Sequence, residues 1–215
     1  MVNSFASYPS LSGKNILITG GASGIGKEIV KGFAEQGANV AFLDLNDEAG
    51  ERLSRDIGKN VFFEKCDLKE VRNLKSSIEK LRAQIGLFDV LVNNAAHDDR
   101  HNWKEVTEDY WDDRFATNLR HQFFTIQSVA KDMIQKGGGS IVNIGSNSWM
   151  EAVGNFPAYA AAKSAVHGLT RTLARDLGKH RIRVNTVVPG WIMTDRQKEL
   201  WVTPEGLENQ YKRQC

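Results

Sequence analysis

The sequence predicts an α/β fold: a doubly wound, mostly parallel sheet. Short β-branched runs alternate with helical periodicity from Lys14 to Val188, a glycine-rich turn follows the first run, and an aspartate closes the second. The expected strands are 15–19, 39–44, 61–65, 90–93, 140–144 and 183–188, each carrying Val, Ile or Phe between turn residues. After the first strand, residues 25–36 repeat apolar side chains at Ile25, Ile29 and Phe33 and stop at Gly37, where glycine accepts a left-handed cap. A longer helix over 156–178 places Ala162, Val166, Leu169, Leu173 and Leu177 on one stripe. Right-handed crossovers then gather six strands into one sheet with ligands at their carboxyl ends. With no repeat and no low-complexity linker, residues 1–215 read as one domain.

Composition narrows the partners. A formal net charge of +2 with no run of lysines and arginines argues against nucleic acid and anionic lipid. No apolar run approaches the roughly 20 residues that cross a bilayer, and residues 1–12 lack the basic-then-apolar order of a secretion signal, so a soluble cytoplasmic protein is expected. Cys66 and Cys215 are too few and too differently placed for a disulfide framework or metal site and read as free thiols. His97, His101 and His121 lack metal-ligand spacing and are expected to be structural, so no metal is expected.

The turn runs Thr19-Gly20-Gly21-Ala22-Ser23-Gly24-Ile25-Gly26 straight into a helix. Glycines at 20 and 24 let the main chain approach a pyrophosphate, Gly26 permits close packing, and the helix N-terminus offers free amides to phosphate. Asp44, 24 positions after Gly20, is placed to accept hydrogen bonds from ribose hydroxyls. A carboxylate there repels a 2′-phosphate, and the turn carries no lysine or arginine before Lys27, so NAD is expected over NADP.

Tyr159 and Lys163 stand four apart near the start of the long helix and project from one face. A phenol is a poor base at neutral pH; an adjacent ammonium is expected to bring it toward the working range. Ser146 follows a buried strand, where its hydroxyl can hold a substrate oxygen.

Together with Asn93-Asn94-Ala95-Ala96, Asn118 and Pro189-Gly190 before Thr194, these motifs resemble the short-chain dehydrogenase/reductase family, in its order and over essentially the whole chain. The resemblance implies a Rossmann-type domain with Tyr159 as acid/base, Lys163 on the nicotinamide ribose, Ser146 on the substrate oxygen and Asn118 holding a relay water. It also implies cofactor contacts from Gly20, Ser23, Gly24, Ile25, Gly26, Asp44, Asp67, Leu68, Asn93 or Asn94, Pro189, Ile192 and Thr194. Ala96 stands where the family usually has glycine. Dimers or tetramers joined through two long helices, here about 110–135 and 156–178, are implied as well. So are a further helix and a seventh strand beyond Cys215, and with them the expectation of a longer natural chain.

The segments 98–101, 118–122, 145–149 and 196–206 look more specifically like the family's sugar dehydrogenases, which oxidise C1 of an aldose such as xylose, arabinose or galactose. That implies a substrate site from Ser146, Asn147, Trp149, Tyr159, Trp191 and Gln197, with Trp201, Glu151 and Asn155 nearby and residues 191–215 as its cover. A keto-reductase or secondary alcohol dehydrogenase of the same family is the alternative activity. A catalytically silent nucleotide-binding regulator is the alternative from another class. Residues 98–101 also read as a solvated or salt-bridged turn.

Overall fold

A computed structural model describes residues 6–213; Cys215 lies outside the described residues. Its elements, in chain order, are β1 (Asn15–Thr19), α1 (Gly24–Glu35), β2 (Asn39–Asp44), α2 (Asp47–Ile57), β3 (Val61–Lys65), α3 (Val71–Ile85) and β4 (Val90–Asn93). Then follow α4 (Glu108–Phe115), α5 (His121–Lys136), β5 (Gly139–Ile144), α6 (Pro157–Gly178), β6 (Ile182–Val187), α7 (Asp195–Leu200) and α8 (Pro204–Arg213). All six strands are parallel in the order β3-β2-β1-β4-β5-β6. The order reverses between β1 and β4, which opens a crevice at their carboxyl ends.

Every residue of β1 is buried because helices cover both sheet faces. Successive side chains alternate: Ile16 and Ile18 join Val30, Val40 and Phe42 on one face, whereas Leu17 joins Leu74, Ile78, Leu91 and Ile141 on the other. Each fully buried aliphatic side chain contributes about 1.5–3 kcal/mol, which lets the same layer carry a polar ladder. Asn93, Asn143 and Thr186 stand in register on neighbouring strands. Asn93 Nδ2 donates to Asn143 Oδ1 at 2.9 Å, Asn143 Nδ2 donates to Thr170 Oγ1 at 2.9 Å, and Thr186 Oγ1 donates to Thr170 Oγ1 at 2.8 Å. Asn93 is fully buried in this ladder, which corrects the expectation that it faces the cofactor; Asn94 is the asparagine that lines the crevice.

Two helices depart from the pattern read from sequence. The long helix expected over 110–135 is interrupted by a wider π-type turn, Ala116–Arg120, between α4 and α5. Asn118 lies inside it and its side-chain amide donates to the Arg114 carbonyl at 2.9 Å, competing with the regular ladder. On α6, Ala162 and Val166 are buried as expected, but Leu169, Leu173 and Leu177 are only half-buried, and Lys163 and Thr170 take buried positions. That helix turns a polar edge toward the ladder and the crevice.

Candidate active site

The crevice is a cleft of about 1560 Å³ running from the turn after β1 to α7 and α8. At the first end the backbone does the shaping. Gly20 is left-handed (φ +67°), and a Cβ there would meet Ala95 Cα at 2.8 Å. At Gly26 a Cβ would lie 1.8 Å from the Gly20 carbonyl oxygen, so the close neighbour is the turn itself rather than the sheet. Thr19 Oγ1 accepts from the Asn94 and Ala95 amides at 3.0 and 3.1 Å, and Asn94 Nδ2 donates to the Gly20 carbonyl at 2.9 Å. Asp44 closes the clamp: Oδ2 accepts from the Ala22 amide and Oδ1 from the Asn46 amide, both at 2.9 Å.

These residues fit a dinucleotide. Ser23, at the N-cap of α1, makes no side-chain cap hydrogen bond, and no acidic residue stands in the first turn, so the helix end stays open to phosphate. Asp44 and Asp67 line the same cleft with Gly20, Ser23, Gly24, Ile25, Leu68, Asn94, Pro189, Ile192 and Thr194. Each aspartate oxygen keeps a lone pair beyond the backbone bond it already accepts, Asp67 Oδ1 from the Lys69 amide at 3.0 Å.

At the middle of the cleft stand Ser146, Tyr159 and Lys163. Lys163 is buried, donates from Nζ to the Ile144 carbonyl at 2.7 Å, and has its ammonium 5.8 Å from the Tyr159 ring centre. Burial pushes its pKa down to about 8, against the carboxylate of Asp98. Burial pushes the Tyr159 phenol up to about 12; the Ser146 hydroxyl pulls the other way, Asp98 adds to the rise and Arg100 opposes it. Burial therefore opposes the lowering of the phenol that is expected from Lys163. The ammonium is committed to a carbonyl, and desolvation outweighs the hydroxyl that faces the ring. His121, also buried beside Lys163, is pushed down to about 3 by burial and then by the lysine charge, so it is a neutral packing residue.

The far end is held by side chains. Asp98 Oδ2 accepts from Gln197 Nε2 at 2.7 Å, and Gln197 Oε1 accepts from Trp191 Nε1 at 2.8 Å. Asp99 pairs with Arg196 at 2.6 Å. Arg100 lays its guanidinium 4.0 Å from the Phe156 ring centre and 5.4 Å from that of Trp201. His101 Nε2 accepts from the Ala158 amide at 3.3 Å, capping the first turn of the helix that carries Tyr159. Beside them, His97 Nδ1 lies 2.7 Å from an Arg114 guanidinium nitrogen and 3.0 Å from Asp99 Oδ2, and burial lowers the His97 pKa against the pull of Asp99.

Trp149 is placed elsewhere. Its ring packs edge-on against His167 of α6, 5.1 Å between centres, and it does not line the cleft, which corrects its assignment to the substrate. The chain between β5 and α6 turns Asn147 toward Glu151, and the half-buried indole keeps its Nε1 enclosed. Asn118 sits behind the cleft wall: its Oδ1 accepts from the His97 amide at 2.8 Å and its Nδ2 donates to the His97 and Arg114 carbonyls. Trp191 and Gln197 line the cleft but spend polar atoms on each other and on Asp98. Sequence reasoning missed the clamping role of Thr19 and the inward placement of Asp98 and Arg100. Thr19 carries a signal in hindsight, a hydroxyl on the last strand position before a glycine turn. The others carry none, because a run of Asp, Asp, Arg and His reads equally well as a solvated turn. Among the described residues no cluster of His, Cys, Asp or Glu is arranged to hold a metal ion, and no helix is long and apolar enough to cross a membrane.

An open helix end over a glycine turn, two strand-end carboxylates and a buried lysine one turn from a tyrosine define a dinucleotide-dependent oxidoreductase. Comparison with known proteins gives the family: a model described as short chain dehydrogenase matches residues 14–205, and the chain belongs to that family. It is 46% identical to D-xylose 1-dehydrogenase of Caulobacter vibrioides over 215 residues, 99% of this chain and 85% of the relative. It is 43% identical to a probable galactose dehydrogenase, GalD, of Rhizobium meliloti, covering 97% and 83% of the two chains. Among solved structures, a 3-ketoacyl-(acyl-carrier-protein) reductase from Brucella melitensis complexed with NADH superposes with a TM-score of 0.82 at 27% identity, covering 86% of this chain and 78% of that one. The protein is thus an enzyme, a nicotinamide-dependent oxidoreductase acting on CH–OH donors.

Proposed function

We propose that the enzyme oxidises C1 of an aldose with NAD+ to give the aldonolactone. The observation that carries this reading is a cleft whose far wall is made of hydrogen-bonding side chains and aromatic rings, Asp98, Arg100, Phe156, Trp191, Gln197 and Trp201, beside Ser146 and Tyr159. A sugar offers that combination, several hydroxyls on an apolar ring face. The names of the two relatives support it.

Bound NAD+ supplies the hydride acceptor. Ser146 holds the C1 oxygen, Tyr159 takes its proton as the C–H bond gives up a hydride, and Lys163 holds the ribose and offsets charge on the phenolate. The Asn118 side chain is committed to His97 and Arg114 and its main-chain carbonyl already accepts from Gln122 Nε2 at 3.4 Å, so a relay water at Asn118 takes the second lone pair of that carbonyl. Asp44 favours NAD over NADP, since a 2′-phosphate would meet a carboxylate already fixed by two backbone amides. Residues 191–213 cover the substrate, one domain carries the whole site, and copies associate through the outer faces of α4, α5 and α6 in the cytoplasm.

The test is NAD+ reduction with a panel of pentoses and hexoses beside secondary alcohols and β-ketoacyl esters. Turnover of at least one aldose well above the other classes is expected, with NADP+ much poorer than NAD+. Preference for an alcohol or a ketoacyl ester overturns the reading.

A further inference from the structure

At the far end of the cleft two hydrogen-bond donors are left over. Arg100 Nη1 and Trp201 Nε1 are buried and have no partner among the described residues. The Arg100 guanidinium lies 5.4 Å from the Trp201 indole centre and 4.0 Å from the Phe156 ring centre. Both line the cleft that holds Tyr159. An unmatched buried donor costs about 1–3 kcal/mol, and two side by side argue for an acceptor that arrives with a ligand. Neither atom is open to solvent from any side, the cleft included, but both side chains line the cleft, so an acceptor that arrives there with a ligand meets them as the side chains shift.

The charges around the pair limit what it is. Arg100 makes no salt bridge among the described residues, while Arg196 is matched by Asp99 and Asp98 is held by Gln197. The wall therefore presents an unpaired donor set beside an acceptor carboxylate that keeps free lone pairs. A donor set alone would suit an anionic substrate. A donor set next to a carboxylate suits neutral vicinal hydroxyls, one accepting from Arg100 and its neighbour donating to Asp98.

We propose that Arg100, with Trp201, is a specificity-determining residue that reads one hydroxyl of the sugar away from the reacting carbon, and that Asp98 reads the hydroxyl beside it. This rests on the aldose reading above and adds which groups discriminate among sugars. Contact with the Phe156 and Trp201 rings limits the freedom of the guanidinium before substrate arrives, so less side-chain freedom is lost on binding. Gln197 does the same for Asp98.

The experiment measures kcat and KM for the aldose the wild-type enzyme uses best and for its monodeoxy analogues, in wild type, Arg100→Met, Trp201→Phe and Asp98→Asn. NADH binding, followed by its fluorescence, reports that each variant is folded. In wild type, removing one particular hydroxyl is expected to lower kcat/KM by at least about tenfold. In Arg100→Met, KM for the parent sugar is expected to rise at least about tenfold, and the penalty for that same missing hydroxyl is expected to shrink below about threefold. Trp201→Phe shows a smaller shift of the same kind, and Asp98→Asn moves the penalty of the adjacent hydroxyl. If Arg100→Met binds NADH and keeps the full penalty at every position, or does not bind NADH while Trp201→Phe and Asp98→Asn keep every penalty, the proposal is overturned and the aldose reading stands. Wild-type enzyme that oxidises no aldose overturns both.

Discussion

The two ends of the cleft are built in opposite ways. At the glycine-turn end the fixed points are main-chain atoms: Gly26 against the Gly20 carbonyl, Thr19 on the Asn94 and Ala95 amides, Asp44 on the Ala22 amide. At the far end they are side chains meeting side chains across nearly 100 residues of sequence, Asp98 with Gln197 and Asp99 with Arg196. A cofactor shared by many enzymes can be met by rigid backbone, whereas a substrate that differs between relatives is met by groups that change without disturbing the sheet. Tyr159 sits between, anchored on a helix whose first turn is capped from the far end by His101.

The comparison can be broken at several points. Tyr159→Phe removes the hydroxyl the two ends share, so oxidation is expected to fall at least about 100-fold while NADH binding and thermal stability stay close to wild type. Retained turnover would place the base elsewhere. With the phenol up at about 12, the active phenolate grows as pH rises, so sugar oxidation is expected to climb from pH 7 past pH 9, by up to about tenfold per unit; a profile flat from pH 6 to 9 contradicts this assignment. Gly26→Ala forces a Cβ onto a backbone carbonyl, and NADH affinity is expected to drop more than about tenfold in a titration. Unchanged affinity would mean that the turn yields.

Asp44→Ala removes an acceptor from two backbone amides, and about 1–2 kcal/mol of unfolding free energy is expected to go with it, along with part of the preference for NAD+ over NADP+. Chemical denaturation reads the first and initial rates with the two cofactors the second. Gln197→Leu is the mildest: the contact to Asp98 lies at the rim, so KM for the sugar is expected to rise a few-fold with kcat and NAD+ binding unchanged. A change in NADH affinity would show that the two ends are not independent.

How much of this was legible in sequence follows the same division. Six parallel strands could be placed within a residue because each is a short apolar run between turn signals, and β1 to β4 fall at 15–19, 39–44, 61–65 and 90–93 as expected. The interrupted helix could not, since Asn118 breaks the ladder through a side-chain bond to Arg114 and a long-range bond to His97. Trp149 and Trp201 show the same limit. Both are tryptophans in sugar-dehydrogenase-like segments, but one packs against His167 away from the cleft and the other lines it.

The sequence by itself determined the fold class, the glycine turn with its strand-end aspartate, and the Tyr159 and Lys163 pair, because each is written in local spacing: period two for strands, 3.6 for helices, i and i+4 for the pair. Folding in three dimensions settled which asparagine enters the buried ladder, that burial raises the Tyr159 phenol, and that Asp98 and Arg100 face the cleft. Those outcomes depend on desolvation and on partners far away along the chain, and neither quantity is a property of a short stretch of residues.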